Sequence, residues 1–219
     1  DKPEGLLRYN TANNTTKTYH HIPNDSTSLE TDSVYTIYKD SQGRLLFGTE
    51  NGLSVLNPSS EGFINYIIKY TKTWPYDTEI WTLTEDKYGN FWFGNRINFF
   101  LFDTKTKTFS HYTPDEKDPY ALQTSRYNDL FSDRSGTLWV GTLFQGLNWL
   151  NRKRSKFTVY KSNPGQPHYF PGGGGTSFAE EKDGTFWVWS SRGLYHWYPS
   201  ADSFTLIKSM TRQREDIPF

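Results

Sequence analysis

The sequence contains no cysteine, a single methionine and no long apolar run. Without cysteine, this segment has no disulfides, thiolate nucleophiles or cysteine-based metal sites. No run approaches the ~18 apolar residues of a membrane-spanning helix. The 24 Lys and Arg residues balance the 24 Asp and Glu residues, so the basic excess typical of nucleic-acid binders and of polybasic membrane-surface modules is missing. We therefore expect no nucleic acid among the partners.

Aromatic side chains are abundant instead. The 219 residues include 8 Trp, 15 Tyr and 16 Phe. Large flat side chains on a β-branched background favour strands over helices. Asn, Gly, Asp, Ser and Thr fill the stretches between the apolar runs, as turns require. This composition predicts an all-β protein.

A ten-residue phrase, "DRSGTLWVGT" at 133–142, recurs in variant form along the chain. Its glycine returns at intervals of 46, 47 and 48 residues, at Gly43, Gly89, Gly136 and Gly184. A Gly-Leu pair follows nearly the same period, at 5–6, 52–53, 146–147 and 193–194, and its missing copy falls near "INFF" at 97–100. A Phe-x-x-Tyr pair is a third anchor, at 63/66, 109/112 and 157/160. Periods of 40 to 50 residues are typical of propeller blades or arrays.

Each repeat is interpreted as four strands, named a to d in chain order. An Asp-x-x-Gly turn joins a to b, because Asp bonds turn amides and Gly accepts a positive φ. Strand c begins at the Gly-Leu pair and strand d carries the Phe-x-x-Tyr pair. We expect the large residue after each turn glycine to pack between neighbouring sheets, namely Leu46, Trp92, Trp139 and Trp187. The last strand a, "GTSFAEE" after "PGGGG", is predicted to be a poor strand.

The combined pattern resembles the two-component regulator propeller repeat. It is carried by Asp133, Gly136, Leu138, Trp139, Gly141, Thr142, Gly146, Leu147 and Phe157, with matching positions in the other repeats. The resemblance implies a β-propeller of four-stranded antiparallel blades. It also implies the periplasmic sensor of a hybrid two-component system, in which propellers precede a β-sandwich, a membrane helix, a histidine kinase and a receiver. Such sensors respond to glycan fragments.

About four and a half blades are predicted, as an arc of a seven-bladed propeller. The expected spans are a half blade at 1–22 and blades at about 33–70, 79–113, 126–161 and 176–208. The half blade supplies only strands c and d, so we expect that this chain alone does not close a ring. Exposed sheet edges would then favour association. The expected protein partners are the remaining blades and the β-sandwich of the same protein, and a second copy in a homodimer.

The d-to-a and b-to-c loops form the face at which propeller ligands usually bind. Aromatic faces stack on sugar rings, and guanidinium groups bind the carboxylates or sulfates of an acidic glycan. The predicted ligand-binding residues are Trp74, Tyr76, Arg96, Arg126, Tyr127, Phe144, His168, Tyr169 and Arg192. Phe170 lies in the same loops, where a core role is not required. The alternative is that these aromatics pack their own loops or a neighbouring domain.

Catalytic, metal and cofactor motifs are not recognisable. "PGGGGTS" lacks the lysine of a phosphate loop, and no third ligand accompanies His20 and His21. Asp77 and Glu79 are the nearest approach to a carboxylate pair, but nothing places a partner opposite Glu79. The prediction is a non-catalytic periplasmic sensor segment that binds an oligosaccharide and passes the signal to a histidine kinase. The alternatives are a propeller lyase or glycosidase, or an interaction scaffold without a small ligand.

Overall fold

A computed structural model describes most of the chain. The described residues are 5–69, 78–112, 114–115, 117–118, 121–122, 126–143, 146–151, 156–162, 164–165 and 168–209. They form two compact units, Asp1–Pro114 and Asp115–Phe219. Within the described residues, all regular elements are strands except one short 3₁₀ helix, η1 (Pro199–Ala201). None of these described elements is a helix long and apolar enough to cross a membrane.

The first unit contains a two-stranded sheet followed by two four-stranded sheets. The two-stranded sheet consists of β1 (Leu6–Asn10) and β2 (Thr15–Tyr19). The next sheet consists of β3 (Val34–Lys39), β4 (Leu45–Thr49), β5 (Gly52–Leu56) and β6 (Phe63–Ile67). The third consists of β7 (Thr82–Glu85), β8 (Phe91–Gly94), β9 (Phe99–Asp103) and β10 (Thr108–Tyr112).

The second unit contains two further four-stranded sheets. One consists of β11 (Tyr127–Ser132), β12 (Leu138–Thr142), β13 (Leu147–Asn151) and β14 (Lys156–Tyr160). The other consists of β15 (Gly175–Glu180), β16 (Phe186–Ser190), β17 (Gly193–Tyr198) and β18 (Ser203–Ser209). In every four-stranded sheet the strands pair antiparallel in the chain order a, b, c, d. The predicted four-stranded unit is confirmed.

The a-to-b turns are built around the predicted acidic residue. In the β7–β10 sheet, Asp86 Oδ1 accepts from the backbone N–H groups of Tyr88 and Asn90. Its other oxygen accepts from the indole N–H of Trp92 at 2.8 Å. Asp133 and Trp139 repeat this indole bond at 2.9 Å. Each turn therefore ties the hairpin to the large side chain that packs between sheets.

The glycine at the start of strand c is required by a close approach of strand d. A Cβ on Gly52 would lie 2.2 Å from the Tyr66 carbonyl oxygen, and one on Gly146 would lie 2.0 Å from that of Tyr160. The β7–β10 sheet carries Asn98 at this position. There, Asn95 Oδ1 accepts from the Asn98 N–H at 2.8 Å and closes the turn instead. The loss of the Gly-Leu pair thus leaves the strand intact.

The core of each unit lies between its neighbouring sheets. In the first unit, Leu46, Ile80, Leu83, Phe93 and Phe100 belong to one buried cluster. A second cluster joins Tyr19 of the two-stranded sheet to Phe63, with ring centroids 5.5 Å apart. In the second unit, the cluster gathers residues of both sheets, among them Trp139, Tyr160, Phe186, Val188 and Trp197. Of the four predicted packing residues, Leu46, Trp92 and Trp139 are buried, whereas Trp187 is half-buried.

The prediction that "GTSFAEE" would be a poor strand is wrong. Residues 175–180 form β15, which pairs along β16 with a register shift between Gly175 and Ser177. Phe178 on this strand stacks on Phe131 of the neighbouring sheet at 5.7 Å. The preceding glycines allow a tight approach, because a Cβ on Gly174 would lie 2.2 Å from the carbonyl oxygens of Thr142 and Leu143. Aromatic packing therefore outweighs the unfavourable local sequence.

Neighbouring sheets within a unit meet through their a strands. β3 contacts β7 in the first unit, and β11 contacts β15 in the second. Four-stranded antiparallel sheets that meet along their first strands are the blades of a β-propeller. The predicted fold class is confirmed, with four full blades and a two-stranded one in the described residues.

Candidate functional site

Two of the predicted ligand residues of the first unit, Trp74 and Tyr76, lie outside the described residues. Arg96 is described and exposed in the b-to-c turn between β8 and β9. Its neighbours Asn95 and Asn98 form the turn by hydrogen-bonding each other. The Arg96 guanidinium therefore stands on a fixed turn at the loop face.

Tyr127 does not provide a stacking surface. Its side chain is fully buried, and burial raises the pKa of its hydroxyl well above the usual value. Tyr127 pairs with Thr142 at the start of β11 and occupies the position that Val34 holds in β3. This position faces the core because side chains alternate along a strand. Its assignment as an accessible ligand residue is thus inconsistent with its burial.

Arg126, directly before Tyr127, is exposed. Its backbone adopts a positive φ of 37°, and its carbonyl oxygen accepts from the Leu143 N–H at 3.0 Å. Phe144, in the b-to-c loop that follows Leu143, lies outside the described residues. The structure therefore fixes the backbone at Arg126 and leaves its guanidinium on the surface.

The loop after β14 contains two more predicted residues, His168 and Tyr169, and a third, Arg192, contacts this loop. His168 is exposed, and its Nδ1 lies 3.4 Å from Asp202 Oδ2. Tyr169 is 37% exposed and forms a bridge with Lys161. Arg192 donates from Nη1 to the Pro171 carbonyl oxygen at 3.0 Å and so holds this loop from the neighbouring b-to-c turn. Part of the Arg192 guanidinium is thereby used for loop structure.

Tyr169 and Arg192 lie near the same buried hydroxyl, that of Tyr195. Burial raises the pKa of Tyr195, the charge of Arg192 lowers it, and Tyr169 raises it.

The expectation that Phe170 is not needed in the core is wrong. Phe170 is fully buried and packs against Tyr195 and Phe204, with ring centroids 5.2 and 4.7 Å away.

A pair of exposed aromatics in the first unit was missed by sequence reasoning. Tyr35 on β3 is 45% exposed, and Trp81, directly before β7, is 37% exposed. Their ring centroids are 6.5 Å apart. They hold the same position in consecutive repeats, one residue beyond the core position of Val34. The pair therefore lies on the face of strand a opposite to the face that packs in the core.

The Glu79 carboxylate joins the two rings. Its Oε1 accepts from the Tyr35 hydroxyl at 3.1 Å, and its Oε2 accepts from the Trp81 indole N–H at 2.6 Å. Glu79 lies in the connection that leads into β7, so the cluster lies at the d-to-a loop end of both blades. We call Tyr35, Glu79 and Trp81 the aromatic–carboxylate cluster. The repeat spacing of Tyr35 and Trp81 was the available signal, but the sequence does not say which face of strand a is exposed.

The cluster has the chemistry of a binding surface rather than of an acid–base site. Glu79 is held by two donors, and Asp77, its predicted neighbour, lies outside the described residues. Among the described residues, no group of three or more His, Asp or Glu side chains is placed to hold a metal ion. Exposed aromatic rings that are fixed by a carboxylate offer flat apolar faces beside hydrogen-bond acceptors.

Comparisons with solved structures support the fold. The extracellular domain of a putative hybrid two component system from B. thetaiotaomicron aligns with 95% of this chain and 26% of its own length, at 22% identity and a TM-score of 0.74. The chain thus spans about a quarter of that domain. Virginiamycin B lyase from Staphylococcus aureus aligns with 96% of this chain and 64% of its own length, at 16% identity and a TM-score of 0.64.

A search of curated proteins found no match. The family model for the two component regulator propeller matches three segments, residues 28–51, 77–96 and 121–144. Each segment contains the end of the d-to-a connection, strand a and strand b. These are the segments that carry the aromatic–carboxylate cluster and Arg126. The chain is accordingly a β-propeller segment, and three stretches of it are similar to the two component regulator propeller repeat.

Proposed function

We propose that this chain is part of the periplasmic sensor of a hybrid two-component regulator, and that it binds an oligosaccharide without cleaving it. The family match supports a sensor role. The observation that carries the ligand proposal is the aromatic–carboxylate cluster, in which Glu79 fixes two exposed rings. Stacking on sugar rings needs exposed aromatic faces that lose little conformational freedom on binding, and fixed rings meet this need.

In the proposed mechanism, sugar rings stack on Tyr35 and Trp81, and sugar hydroxyls donate to Glu79. The exposed guanidinium group of Arg96, in the same unit, contributes where the glycan carries carboxylates or sulfates. The signal passes to a histidine kinase of the same protein through the remaining blades, a β-sandwich and a homodimer. No covalent chemistry is assigned to this segment.

The test is calorimetric titration of the complete sensor domain with a panel of neutral and acidic oligosaccharides. Trp81→Ala should weaken binding by about 1–3 kcal/mol, the range of an interface anchor. Arg96→Ala should weaken the binding of acidic oligosaccharides only. The matched control is Tyr88→Ala, because Tyr88 is 58% exposed in the a-to-b turn, away from the cluster.

Equal affinities of the wild type and Trp81→Ala for every bound oligosaccharide would contradict the assignment of this surface. Recovery of a shortened or unsaturated oligosaccharide after incubation would contradict a non-catalytic role. Ligand-dependent phosphorylation of the complete protein tests the link to the kinase, and its absence with a bound oligosaccharide would contradict that link.

A further inference from the structure

The second unit contains a pocket that the proposed function does not use. It lies between the β11–β14 and β15–β18 sheets and has a volume of about 350 Å³. The pocket is lined by the a-to-b turn that begins at Asp133 and by the c-to-d turn that contains Asp202. Aromatic residues on strands of both sheets complete the lining. The volume is within the range of small-molecule sites.

Four aromatic side chains line the pocket, Trp139, Trp149, Tyr160 and Trp197. Trp139 contacts Trp149 and Trp197, with ring centroids 6.3 and 5.4 Å away. Tyr160 contacts Trp197 edge to face at 5.6 Å. The Trp139 indole N–H is bound to Asp133, and the Tyr160 hydroxyl donates to Asp202. The rings are therefore held in place before any ligand arrives.

The charged groups of the pocket are unbalanced. Asp133, Glu180 and Asp202 supply three carboxylates, whereas Arg134 supplies one guanidinium. Arg134 lies 3.6 Å from Glu180 and donates to the Lys182 carbonyl oxygen at 2.7 Å. Among the described residues, this pairing leaves Asp133 and Asp202 without a fixed cation, apart from His168, whose Nδ1 lies 3.4 Å from Asp202 Oδ2. With neutral histidine, the described lining residues carry an excess of negative charge.

We infer that this pocket binds a small organic ammonium ion, either a quaternary ammonium or a protonated amine. Tryptophan and tyrosine faces attract cations through their ring quadrupoles, and the two carboxylates add attraction of the same sign. Anionic ligands, including acidic glycans, are repelled by the same carboxylates. A neutral sugar would stack on the aromatic side chains, but it would not be attracted electrostatically by the carboxylates. The site shares no residue with the aromatic–carboxylate cluster.

The experiment compares choline with its tert-butyl analogue, in which a carbon atom replaces the ammonium nitrogen. Both are titrated calorimetrically into the full chain at slightly alkaline pH, where histidine is ordinarily neutral. The two probes have nearly the same shape, so their difference reports the charge. We expect choline to bind on the order of tenfold more tightly than the analogue.

Asp202→Asn tests the carboxylate. Asp202 has a φ of 46°, and asparagine tolerates this left-handed conformation, so the change removes charge with little effect on the turn. The matched control is Asp103→Asn, which removes the same charge from the c-to-d turn of the β7–β10 sheet. Trp149→Leu tests a half-buried wall residue while keeping it apolar. Asp202→Asn and Trp149→Leu should each weaken choline binding several-fold, and Asp103→Asn should not.

Several outcomes would overturn the inference. These are equal affinities for choline and its analogue, no measurable choline binding, or equal losses in Asp202→Asn and Asp103→Asn. Binding of a neutral disaccharide that Asp202→Asn abolishes, with no choline binding, would show a sugar site instead. Because Trp81→Ala should leave choline binding unchanged, failure here and failure of the oligosaccharide proposal are distinguishable.

Discussion

At the scale of single residues, an acidic group of the a-to-b turn accepts from a tryptophan indole N–H in different surroundings. Asp86 is 5% exposed and bonds the indole of Trp92, which is 1% exposed. In the last blade, Glu181 bonds the indole of the half-buried Trp187 at 2.7 Å, and both partners have more access to water. Burial therefore decides how much each bond contributes to stability.

Asp86→Ala should lower the free energy of unfolding by about 2–3 kcal/mol, because a buried indole N–H and two turn amides lose their acceptor. Glu181→Ala is the control for the indole bond alone, and it should change stability by less than about 1 kcal/mol since water can replace the carboxylate. Urea denaturation of both variants measures the difference. Equal losses would show that burial of the indole is not the deciding factor.

At the scale of the elements, the closest packing between blades occurs where strand b of one blade meets strand a of the next. Gly48 on β4 lies against Ile80, whose N–H donates to the Thr49 carbonyl oxygen at 3.0 Å. A Cβ on Gly48 would lie 2.5 Å from the Ile80 carbonyl oxygen and 2.6 Å from Thr36 Cγ2. The last blade carries Trp189 at this position, where it is 41% exposed.

Gly48→Ala should destabilise the first unit by about 3 kcal/mol, because the Ile80 backbone and the β-branched side chains of Ile80 and Thr36 leave no room for the new methyl group. Gly184→Ala is the comparison, since its φ is +87° but no atom lies within 4 Å of the added Cβ. That variant should lose only the cost of the left-handed conformation, about 1 kcal/mol. Thermal unfolding of the two variants tests this order, and the reverse order would contradict the packing argument.

The repeat spacing predicted the strand order and the turns of these elements correctly, because both depend on local chemistry. Asp40, Asp86 and Asp133 accept from amides within four residues of themselves. The glycine-rich local sequence wrongly predicted that β15 would be a poor strand, because the stacking of Phe178 on Phe131 joins residues that are far apart in the chain. A local pattern contains no information about such a partner.

At the scale of the whole molecule, stability should depend on pH through His111. Burial lowers the pKa of His111 below its ordinary value of 6.5. Its Nε2 lies 2.9 Å from Asn98 Oδ1, to which it donates in the neutral Nε2–H tautomer, and its ring lies 5.0 Å from Phe100. The unfolded chain therefore takes up a proton at higher pH than the folded chain does. The stabilisation from neutral His111 is complete above this ordinary value and decreases as the pH falls below it.

His111→Gln should reduce the loss of stability between about pH 7.5 and about pH 5.5, because glutamine can still donate to Asn98 but does not titrate. His20→Gln is the control, since the side chain of His20 is 53% exposed. Urea denaturation at the two pH values gives the slope for each variant. An unchanged slope in His111→Gln would show that other groups dominate the acid sensitivity.

The sequence by itself determined the repeat, the all-β class and the order of strands within each blade. These follow from interactions between residues close in the chain, and the repeated sequence gives each blade the same interactions. The sequence also predicted that a ligand would bind at the loops, and it placed Arg96 and Arg126 there. Both residues are exposed in the structure.

Only the tertiary structure decided which side of strand a is buried. Alternation along a strand defines two faces, but the neighbouring blade determines which face is covered. Tyr127 and Tyr35 belong to different blades but occupy adjacent positions of the repeat. Packing buries Tyr127, whereas it leaves Tyr35 exposed beside Trp81. The pocket of Trp139, Trp149 and Trp197 likewise exists only because two sheets bring distant side chains together. Long-range packing, which no local pattern encodes, therefore decides which side chains of this chain are exposed.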